Sequence, residues 1–443
     1  MSVFNSIKLF IHPRVMTMLF LGFSAGVPIL LIFSTLGLWL NEAGVVKSTI
    51  TYFSWAALGY SFKFVWAPLV DRLPLPVLTK SLGRRRSWML VSQLAIMGAI
   101  LLMSSIDPKV SFESLTLMAY GAVLLGFASA TQDIVIDAYR IESADKDMQS
   151  MLSATYIAGY RIGMLVAGAG GLFIASYLGS TKELYSYDAW SSTYQMMAAL
   201  MLIGVVTTLI INEPKSERKE TEFSTTDYAR FFLLFLSIVV AFILTFIATA
   251  DLVKMAKEIL TDTFANKHLS GFIVGSIRMV IALVGAYVAA MILIKLNIVN
   301  GSMVNSTYID PAKDFFDRYG MRVAMLLLAV IGLYRISDIV LGVLANIFYQ
   351  DIGFTKVEIA TVSKTYGLFM TIAGGFVGGV LANRIGVFKV LFLGAFLSAL
   401  TNLLFVVLAN VGHDITWLYV TITMDNLSAG LAGAAFIAFL SSL

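Results

Sequence analysis

The chain has 443 residues, of which 58% are hydrophobic and only 13% charged, and its mean hydropathy is +0.85. Soluble domains carry about 25% charged residues, so this composition excludes an ordinary soluble protein and predicts a chain that folds in a lipid bilayer. The net charge of +4 does not indicate nucleic-acid binding, because the basic residues lie at the ends of apolar segments and not along one face.

Twelve apolar segments are candidates for spanning helices, each of which needs about 20 residues. In chain order they cover residues 15–40, 50–70, 87–106, 114–136, 151–176, 190–211, 229–250, 270–294, 321–348, 356–382, 388–411 and 416–442. With the N-terminus inside, the cytoplasmic loops carry 19 Lys and Arg residues and the outer loops carry 7, which predicts a cytoplasmic N-terminus. No signal-peptidase pattern precedes the first segment, so we interpret it as a retained helix.

Small residues predict where these helices bend or touch. The first segment contains GFSAGVP at residues 22–28, and the proline and glycines predict an interruption or bend there. Gly159, Gly163 and Gly168 in the fifth segment predict close packing against another helix. A glycine-rich run at residues 374–379 makes the same prediction for the tenth segment.

A charged loop motif occurs twice between apolar segments. The second copy fits G-x-x-x-[DN]-R-x-G at residues 379–386, whereas the first copy has Ala67 at the leading glycine and extra residues before Gly83. Such a repeat is typical of the cytoplasmic elbows of major facilitator transporters. The predicted gate or elbow residues are Asp71, Arg72, Arg84, Asn383 and Arg384.

The positions of the two copies predict an unusual domain organisation. A six-plus-six repeat would place the second elbow between helices eight and nine, but it falls between helices ten and eleven. We therefore predict a major facilitator fold with an N-terminal six-helix bundle at 1–211, a linker with an inserted helix pair at 212–304, and a C-terminal bundle at 305–443. Only four helices of that last bundle are present, which predicts truncation; the alternative is a natural twelve-helix protein with a degenerate repeat.

Five basic residues fall within predicted spans, where charge is costly and needs a reason: Lys63, Arg161, Arg278, Arg335 and Lys364. Arg161 requires a carboxylate or an anionic ligand, and Asp133 or Asp137 on the neighbouring helix is the expected partner. Lys63 either snorkels or pairs. Both basic residues, with Tyr160, Arg335 and Asn426, are predicted to contact substrate.

Asp133 and Asp137 are the strongest candidates for proton coupling. They lie one helical turn apart, so their charges repel and favour proton binding by one of them. The structural alternative is that they pair with Arg140 or the elbow arginines and fasten a gate. Asp425, near the middle of the last segment, is a further candidate for a proton or ligand site.

Six segments in this order give the chain a resemblance to one family: FKFVWAPLVDR, GRRRSW, ATQDIVIDAYR, GYRIGMLVAG, DFFDRYG and TMDNLSAGLAGAAFIAFL. They resemble the AmpG-type anhydromuropeptide permeases of the major facilitator superfamily, over nearly all of 1–215 and 305–443. The resemblance implies a multi-pass protein of the bacterial inner membrane that imports GlcNAc-anhydro-muropeptides with protons for peptidoglycan recycling. It also implies that the matching helix-four carboxylates are Asp133 and Asp137.

Three alternatives remain at this stage. One is a carrier of different cargo, such as an acyl-coenzyme A; another is a non-transporting membrane assembly factor. The third is a membrane enzyme that holds a metal with Asp133 and Asp137, which the lack of a second acidic cluster disfavours. We expect a non-enzymatic monomer with no metal or cofactor, and the chain has no P-loop motif for ATP hydrolysis.

Overall fold

The computed structural model describes residues 12–53, 56, 58–75, 77–143, 146–214, 224–264, 267–334 and 336–441, and these residues form helices without any β-strand. Three short π-helical segments, π1 to π3, interrupt the α-helices. In chain order the elements are α1 (Pro13–Ile32), α2 (Ser34–Glu42), α3 (Lys47–Tyr52), α4 (Leu58–Arg72), α5 (Leu78–Leu82), α6 (Arg84–Ser104), α7 (Phe112–Glu142), α8 (Lys146–Leu165), π1 (Val166–Gly170), α9 (Gly171–Tyr177), α10 (Tyr187–Leu200), α11 (Leu202–Ile210), α12 (Thr225–Ala248), α13 (Ala250–Phe264), α14 (Lys267–Lys295), α15 (Gly301–Val304), π2 (Asn305–Ile309), α16 (Asp310–Tyr319), α17 (Met321–Tyr334), α18 (Ile336–Ile352), α19 (Lys356–Glu358), π3 (Ile359–Tyr366), α20 (Gly367–Ile385), α21 (Val387–Val411) and α22 (Ile415–Ser441).

Eight helical stretches within the described residues are long and apolar enough to cross a membrane. They are Pro13–Glu42, Arg84–Ser104, Phe112–Glu142, Thr155–Tyr177, Tyr187–Ile210, Thr226–Ala248, Ile273–Lys295 and Val387–Val411, and each coincides with a predicted span. The other four predicted spans fall on α4, on α17 with α18, on α19 to α20, and on α22. The prediction of an all-α polytopic membrane protein is therefore confirmed.

The chain divides into two compact units. The first comprises Met1–Lys63, Pro74–Ser216 and Val330–Leu443, and the second comprises Phe64–Leu73 and Glu217–Ala329. Within the first unit, we call the described residues of 12–63 and 74–214 the N half and residues 336–441 the C half. The predicted domain boundaries, the inserted pair and the truncation stay predictions.

Glycines bring α1 and α8 into backbone contact in the N half. A Cβ atom added to Gly26 would lie 2.0 Å from the Tyr160 carbonyl oxygen, and one on Gly159 would lie 2.0 Å from that of Leu19. Gly22 and Gly163 are similarly blocked, at 2.2 Å from a backbone oxygen of the other helix. Only glycine permits the two helix backbones to approach so closely, which is how small residues favour helix packing in membranes. This contact fixes the face of α8 that carries the site described below.

The same kind of contact occurs twice between helices that flank an elbow. A Cβ on Gly126 of α7 would lie 2.3 Å from the Ala56 carbonyl oxygen, beside the start of α4. In the C half, a Cβ on Gly430 of α22 would lie 2.1 Å from the Thr371 carbonyl oxygen of α20, and Gly374 is blocked in return by Leu427. The predicted close contact of the 374–379 run is thus confirmed, and its partner is α22.

The second unit contains α12 and α14, which pack along each other. Arg278 on α14 donates two hydrogen bonds to the Phe246 carbonyl oxygen, at 2.6 and 3.1 Å, and its guanidinium lies 3.7 Å from the centre of the Phe246 ring. This carbonyl belongs to the last turn of α12, where carbonyls lack partners within the helix. Arg278 therefore has a capping function at membrane depth.

The interruption predicted in the first helix needs correction. The first helix runs unbroken through residues 22–28 with Pro28 inside it, and the chain departs from helical geometry at Phe33 instead. The glycines of that stretch do not interrupt the helix; they allow it to pack closely against α8. The span predicted at 50–70 falls on α3 and α4, and residues 54, 55 and 57 between these helices lie outside the described residues.

Candidate functional site

Asp133 lies at the centre of the strongest candidate site, on the inward face of α7. It is 8% exposed, and its Oδ2 atom lies 4.0 Å from the Nζ atom of Lys63 on α4. Its Oδ1 atom is buried and accepts no hydrogen bond from the described residues. A buried carboxylate oxygen without a donor is costly. Asp133 therefore has acceptor capacity that the protein leaves unused.

Three tyrosines surround this carboxylate. The Tyr156 hydroxyl is a hydrogen-bond partner of Asp133, and Tyr60 and Tyr160 lie close enough to interact with its charge. Tyr60 also donates to the Ser129 hydroxyl at 2.7 Å, and the rings of Tyr156 and Tyr160 are 6.1 Å apart. We call the group of Tyr60, Lys63, Asp133, Tyr156 and Tyr160 the Asp133 cluster. The glycine contacts of α1 with α8 and of α7 with α4 hold these side chains together.

Asp137 has a different environment, although it is only one turn away. Its Oδ1 atom accepts a hydrogen bond from Arg140 at 3.2 Å, and its side chain is 45% exposed. This is the partner that the structural alternative predicted for the aspartate pair. Asp137 is therefore neutralised by a close arginine, whereas the described cation nearest the more buried Asp133 is Lys63 at 4.0 Å.

Arg161 follows Tyr160 on α8 and interacts with that tyrosine electrostatically. The expected partners of Arg161 were Asp133 and Asp137, but the described ion pairs of those two carboxylates are with Lys63 and Arg140. The structure thus brings Asp133, Lys63, Tyr160 and Arg161 to neighbouring positions with a different pairing from the predicted one. The reason is that α4 supplies a cation at the depth of Asp133.

The predicted C-half residues form a second polar group. Asn426 on α22 accepts a hydrogen bond from Thr371 on α20 at 2.8 Å and donates to the Ile422 carbonyl oxygen at 3.0 Å. Asp425 lies beside it and interacts with the buried Tyr349. Asn426 therefore bridges two helices. Arg335, the remaining predicted contact, lies outside the described residues.

The elbow residues occupy matching places at helix ends. Asp71 and Arg72 end α4, and Asn383 and Arg384 lie in the last turn of α20, before Gly386 with φ 93°. The side chains of Arg72 and Asn383 are outside the described residues. Each elbow follows the first of three consecutive long helices whose first and third members meet through glycine. The predicted equivalence of the two copies stays a prediction.

Within the basic triplet after the first elbow, Arg85 is the buried member, at 2% exposure. Its guanidinium makes two hydrogen bonds to the Glu142 carboxylate, at 2.6 and 3.0 Å. Glu213 accepts from the backbone N–H groups of Arg85 and Arg86, at 2.7 and 3.1 Å, and so caps α6. The sequence interpretation named Arg84 as the gate residue and missed this arrangement, because Glu142 and Glu213 are distant along the chain.

A second buried carboxylate, Glu42 at the end of α2, was not predicted as a site residue. Its oxygens accept hydrogen bonds from four side chains: Ser180 at 2.7 Å, Trp190 at 2.8 Å, Gln350 at 3.0 Å and Lys356 at 2.9 and 3.1 Å. The side chains of Glu42 and Lys356 are 0% and 3% exposed. We call these five residues the Glu42 cluster. It joins the N half to the C half at the end that the charge bias places outside.

Neighbouring polar contacts strengthen the same junction. Asn41 donates to Gln350 at 2.6 Å, and Asn346 donates to the Ser34 carbonyl oxygen at 2.9 Å. Asp351 pairs with Lys47 and, at 3.0 Å, with Lys182. Burial alone would raise the pKa of Asp351, but its hydrogen bonds and charge interactions with the two lysines outweigh burial and lower it. The two halves are therefore held together at the end that contains Glu42 and Asp351.

No group of three or more His, Cys, Asp or Glu side chains that could hold a metal occurs among the described residues. Asp133 and Asp137 each face a basic side chain instead. The arrangement of the Asp133 cluster suits the binding of a proton or of hydrogen-bond donors from a ligand.

Comparisons with known proteins agree with this architecture. The family model of the Major Facilitator Superfamily matches residues 15–305. The chain is 30% identical over 436 residues to the putative transporter AmpG 4 of Rickettsia conorii, covering 98% of this chain and 84% of the relative. It is 28% identical over 439 residues to the anhydromuropeptide permease of Escherichia coli, covering 99% of this chain and 69% of the relative.

Among solved structures, the xylose transporter XylE from Escherichia coli, in a partially occluded inward-open conformation, is similar with a TM-score of 0.54. The similarity covers 98% of this chain and 87% of that transporter at 10% sequence identity. At that identity the similarity concerns the fold alone.

Proposed function

This chain belongs to the major facilitator superfamily and is a membrane transporter of the AmpG type, not an enzyme, and on that premise we propose that it imports GlcNAc-anhydro-muropeptides with protons. The membrane would be the bacterial inner membrane, with the N-terminus in the cytoplasm. The cargo is proposed from the name of the Escherichia coli relative, the anhydromuropeptide permease. The observation that carries the proton coupling is the buried Asp133 Oδ1 atom without a described donor.

The proposed coupling follows from the competition of a proton and Lys63 for Asp133. While Asp133 is ionised, it attracts the ammonium group 4.0 Å away. Protonation removes that attraction and leaves Lys63 able to bind a ligand carboxylate, since a cation at membrane depth needs an anion. Proton binding and ligand binding then favour each other. The nearby tyrosines offer hydroxyls and ring faces to a saccharide.

Alternating access would expose this cluster to one side of the membrane at a time. The contacts between the two halves at the outer end, centred on Glu42, supply a closure on that side. Import then requires these contacts to break so that the ligand and the proton enter from outside, and to form again before release into the cytoplasm.

The test uses the full chain in membrane vesicles with radiolabelled GlcNAc-anhydro-muropeptide. We expect accumulation when an inward proton gradient is imposed and no accumulation when a protonophore is added. Equal accumulation with and without the protonophore would remove the proton coupling. Vesicles with the transporter that take up no more label than empty vesicles would remove the proposed cargo.

A further inference from the structure

Two lysines on one helical rod of the C half have contrasting surroundings. Lys356 begins α19, and Lys364 lies eight residues further along in π3, about 12 Å deeper at the rise of a helix. Lys356 is paired with Glu42. Lys364, within the described part of the chain, makes no hydrogen bond or ion pair.

Lys364 lies where the two halves meet. Its Cδ atom is 3.9 Å from the position that a Cβ on Gly168 would occupy, and Gly168 belongs to π1 of the N half. The segments π1 and π3 contact each other, so a π-helical turn from each half faces the other. Such turns are frequent at functional sites. A Cβ on Gly168 would collide with the Leu30 side chain at 2.6 Å, whereas the stem of Lys364 lies at ordinary contact distance across the junction.

Residues with hydroxyl groups lie beside Lys364 in π3. Tyr366 shares a hydrogen bond with Thr423 at 2.9 Å and meets the ring of Tyr419 at 5.0 Å between centroids. Ser363 is a hydrogen-bond partner of Tyr349. A lysine within a membrane span is costly unless an anion is present. These neighbouring residues offer hydroxyls to a ligand, and no described carboxylate forms an ion pair with the Lys364 ammonium.

We propose that the Lys364 ammonium binds a carboxylate of the transported ligand at the junction of the two halves, just inside the Glu42 cluster. This proposal deepens the proposed function and rests on it, because it assigns an anion subsite to the same carrier. An ammonium group has three donors and no fixed plane, which suits a single carboxylate in a mobile ligand. A ligand bound there would contact both halves and would be enclosed as the outer end closes.

The test compares two probes on the purified full chain in lipid nanodiscs. The first is GlcNAc-anhydro-muropeptide with the free carboxylates of its stem peptide, and the second is the same molecule with those carboxylates converted to amides. We expect the wild type to bind the acid about ten- to hundredfold more tightly than the amide, the range of one charged hydrogen bond. Lys364→Met should remove this preference and leave amide binding unchanged, while Lys364→Arg should keep part of it. If the methionine variant does not fold, Lys364→Gln, which keeps a polar side chain, takes its place and should likewise remove the preference for the acid.

Several outcomes would overturn the proposal. Lys364→Met with the full preference for the acid would do so, and so would a wild type that binds both probes equally. The acidic Asp338 on α18 lies outside the residues whose side chains are described, so Asp338→Asn is combined with Lys364→Met. If that double variant regains the preference for the acid, Lys364 neutralises Asp338 in the folded protein and does not bind the ligand. A wild type that binds neither the anhydro-muropeptide nor its amidated form would instead overturn the proposed function.

Discussion

The Glu42 cluster and the Asp133 cluster each contain a buried carboxylate that faces a lysine. They differ in how many hydrogen bonds that carboxylate accepts and in its distance from the lysine. Glu42 accepts from four side chains, and its lysine lies 2.9 Å away. Asp133 has its lysine at 4.0 Å and one oxygen without a described donor. A fully satisfied carboxylate has nothing left to bind and serves as a fastening. A partly satisfied one retains capacity for a proton or a ligand.

Breaking the Glu42 cluster should have the largest effect on stability. Glu42→Ala leaves Lys356 buried without its anion, for which we expect a loss of about 3–5 kcal/mol of unfolding free energy. Thermal unfolding in detergent, followed by tryptophan fluorescence, measures it. Trp39 and Trp190 are well placed reporters, because their rings stack 5.8 Å apart and Trp190 donates to Glu42.

The double variant Glu42→Ala with Lys356→Met is the control for this prediction. Removing both charges removes the orphan cation, so the double variant should regain part of the lost stability. A double variant less stable than Glu42→Ala would mean that the pair is not the source of the effect.

The glycine contact that shapes the Asp133 cluster can be tested separately. Gly26→Ala would place a Cβ 2.0 Å from the Tyr160 carbonyl oxygen, so α1 and α8 must move apart. We expect a loss of about 1–3 kcal/mol and reduced uptake, because Tyr156 and Tyr160 move away from Asp133.

Gly98→Ala is the matched control for Gly26→Ala. Gly98 lies in α6 with nothing within 4 Å of its added Cβ, so the same change should leave uptake unchanged and raise stability by up to about 1 kcal/mol. Equal effects of the two substitutions would contradict the role given to the contact.

Asp351, at the edge of the outer junction, should contribute least. Its side chain is 29% exposed, so solvent screens its pairs and Asp351→Asn should cost at most about 1 kcal/mol at pH 7. Because the two lysines lower its folded pKa, this stabilisation is present above the unfolded pKa of about 3.9 and is lost as the pH falls below it. The difference in Tm between wild type and Asp351→Asn should stay constant from pH 7 to pH 5 and decrease below about pH 4. A difference that instead grows on acidification would contradict the assignment.

Sequence patterns were sufficient for the membrane fold and for the position of Asp133. Apolar length located the spans, and the carboxylate deep in α7 stood out because charge there needs a reason. The ion pair between Lys63 and Asp133 could not be predicted from sequence patterns. The two residues are 70 positions apart, and only the contact of α4 with α7 brings them together. Glu42 and Lys356 are 314 positions apart. Their only signal was that each stood at the outer end of an apolar segment.

The central claim is that Asp133 couples the proton while the rest of its cluster binds the ligand, and Asp133→Asn separates the two most directly. The measurement compares proton-driven accumulation of labelled anhydro-muropeptide with exchange of label against preloaded ligand at equal pH on both sides. We expect Asp133→Asn to lose accumulation and to retain exchange, because an amide mimics the protonated carboxyl but cannot release a proton. Accumulation at the wild-type level in Asp133→Asn would contradict it.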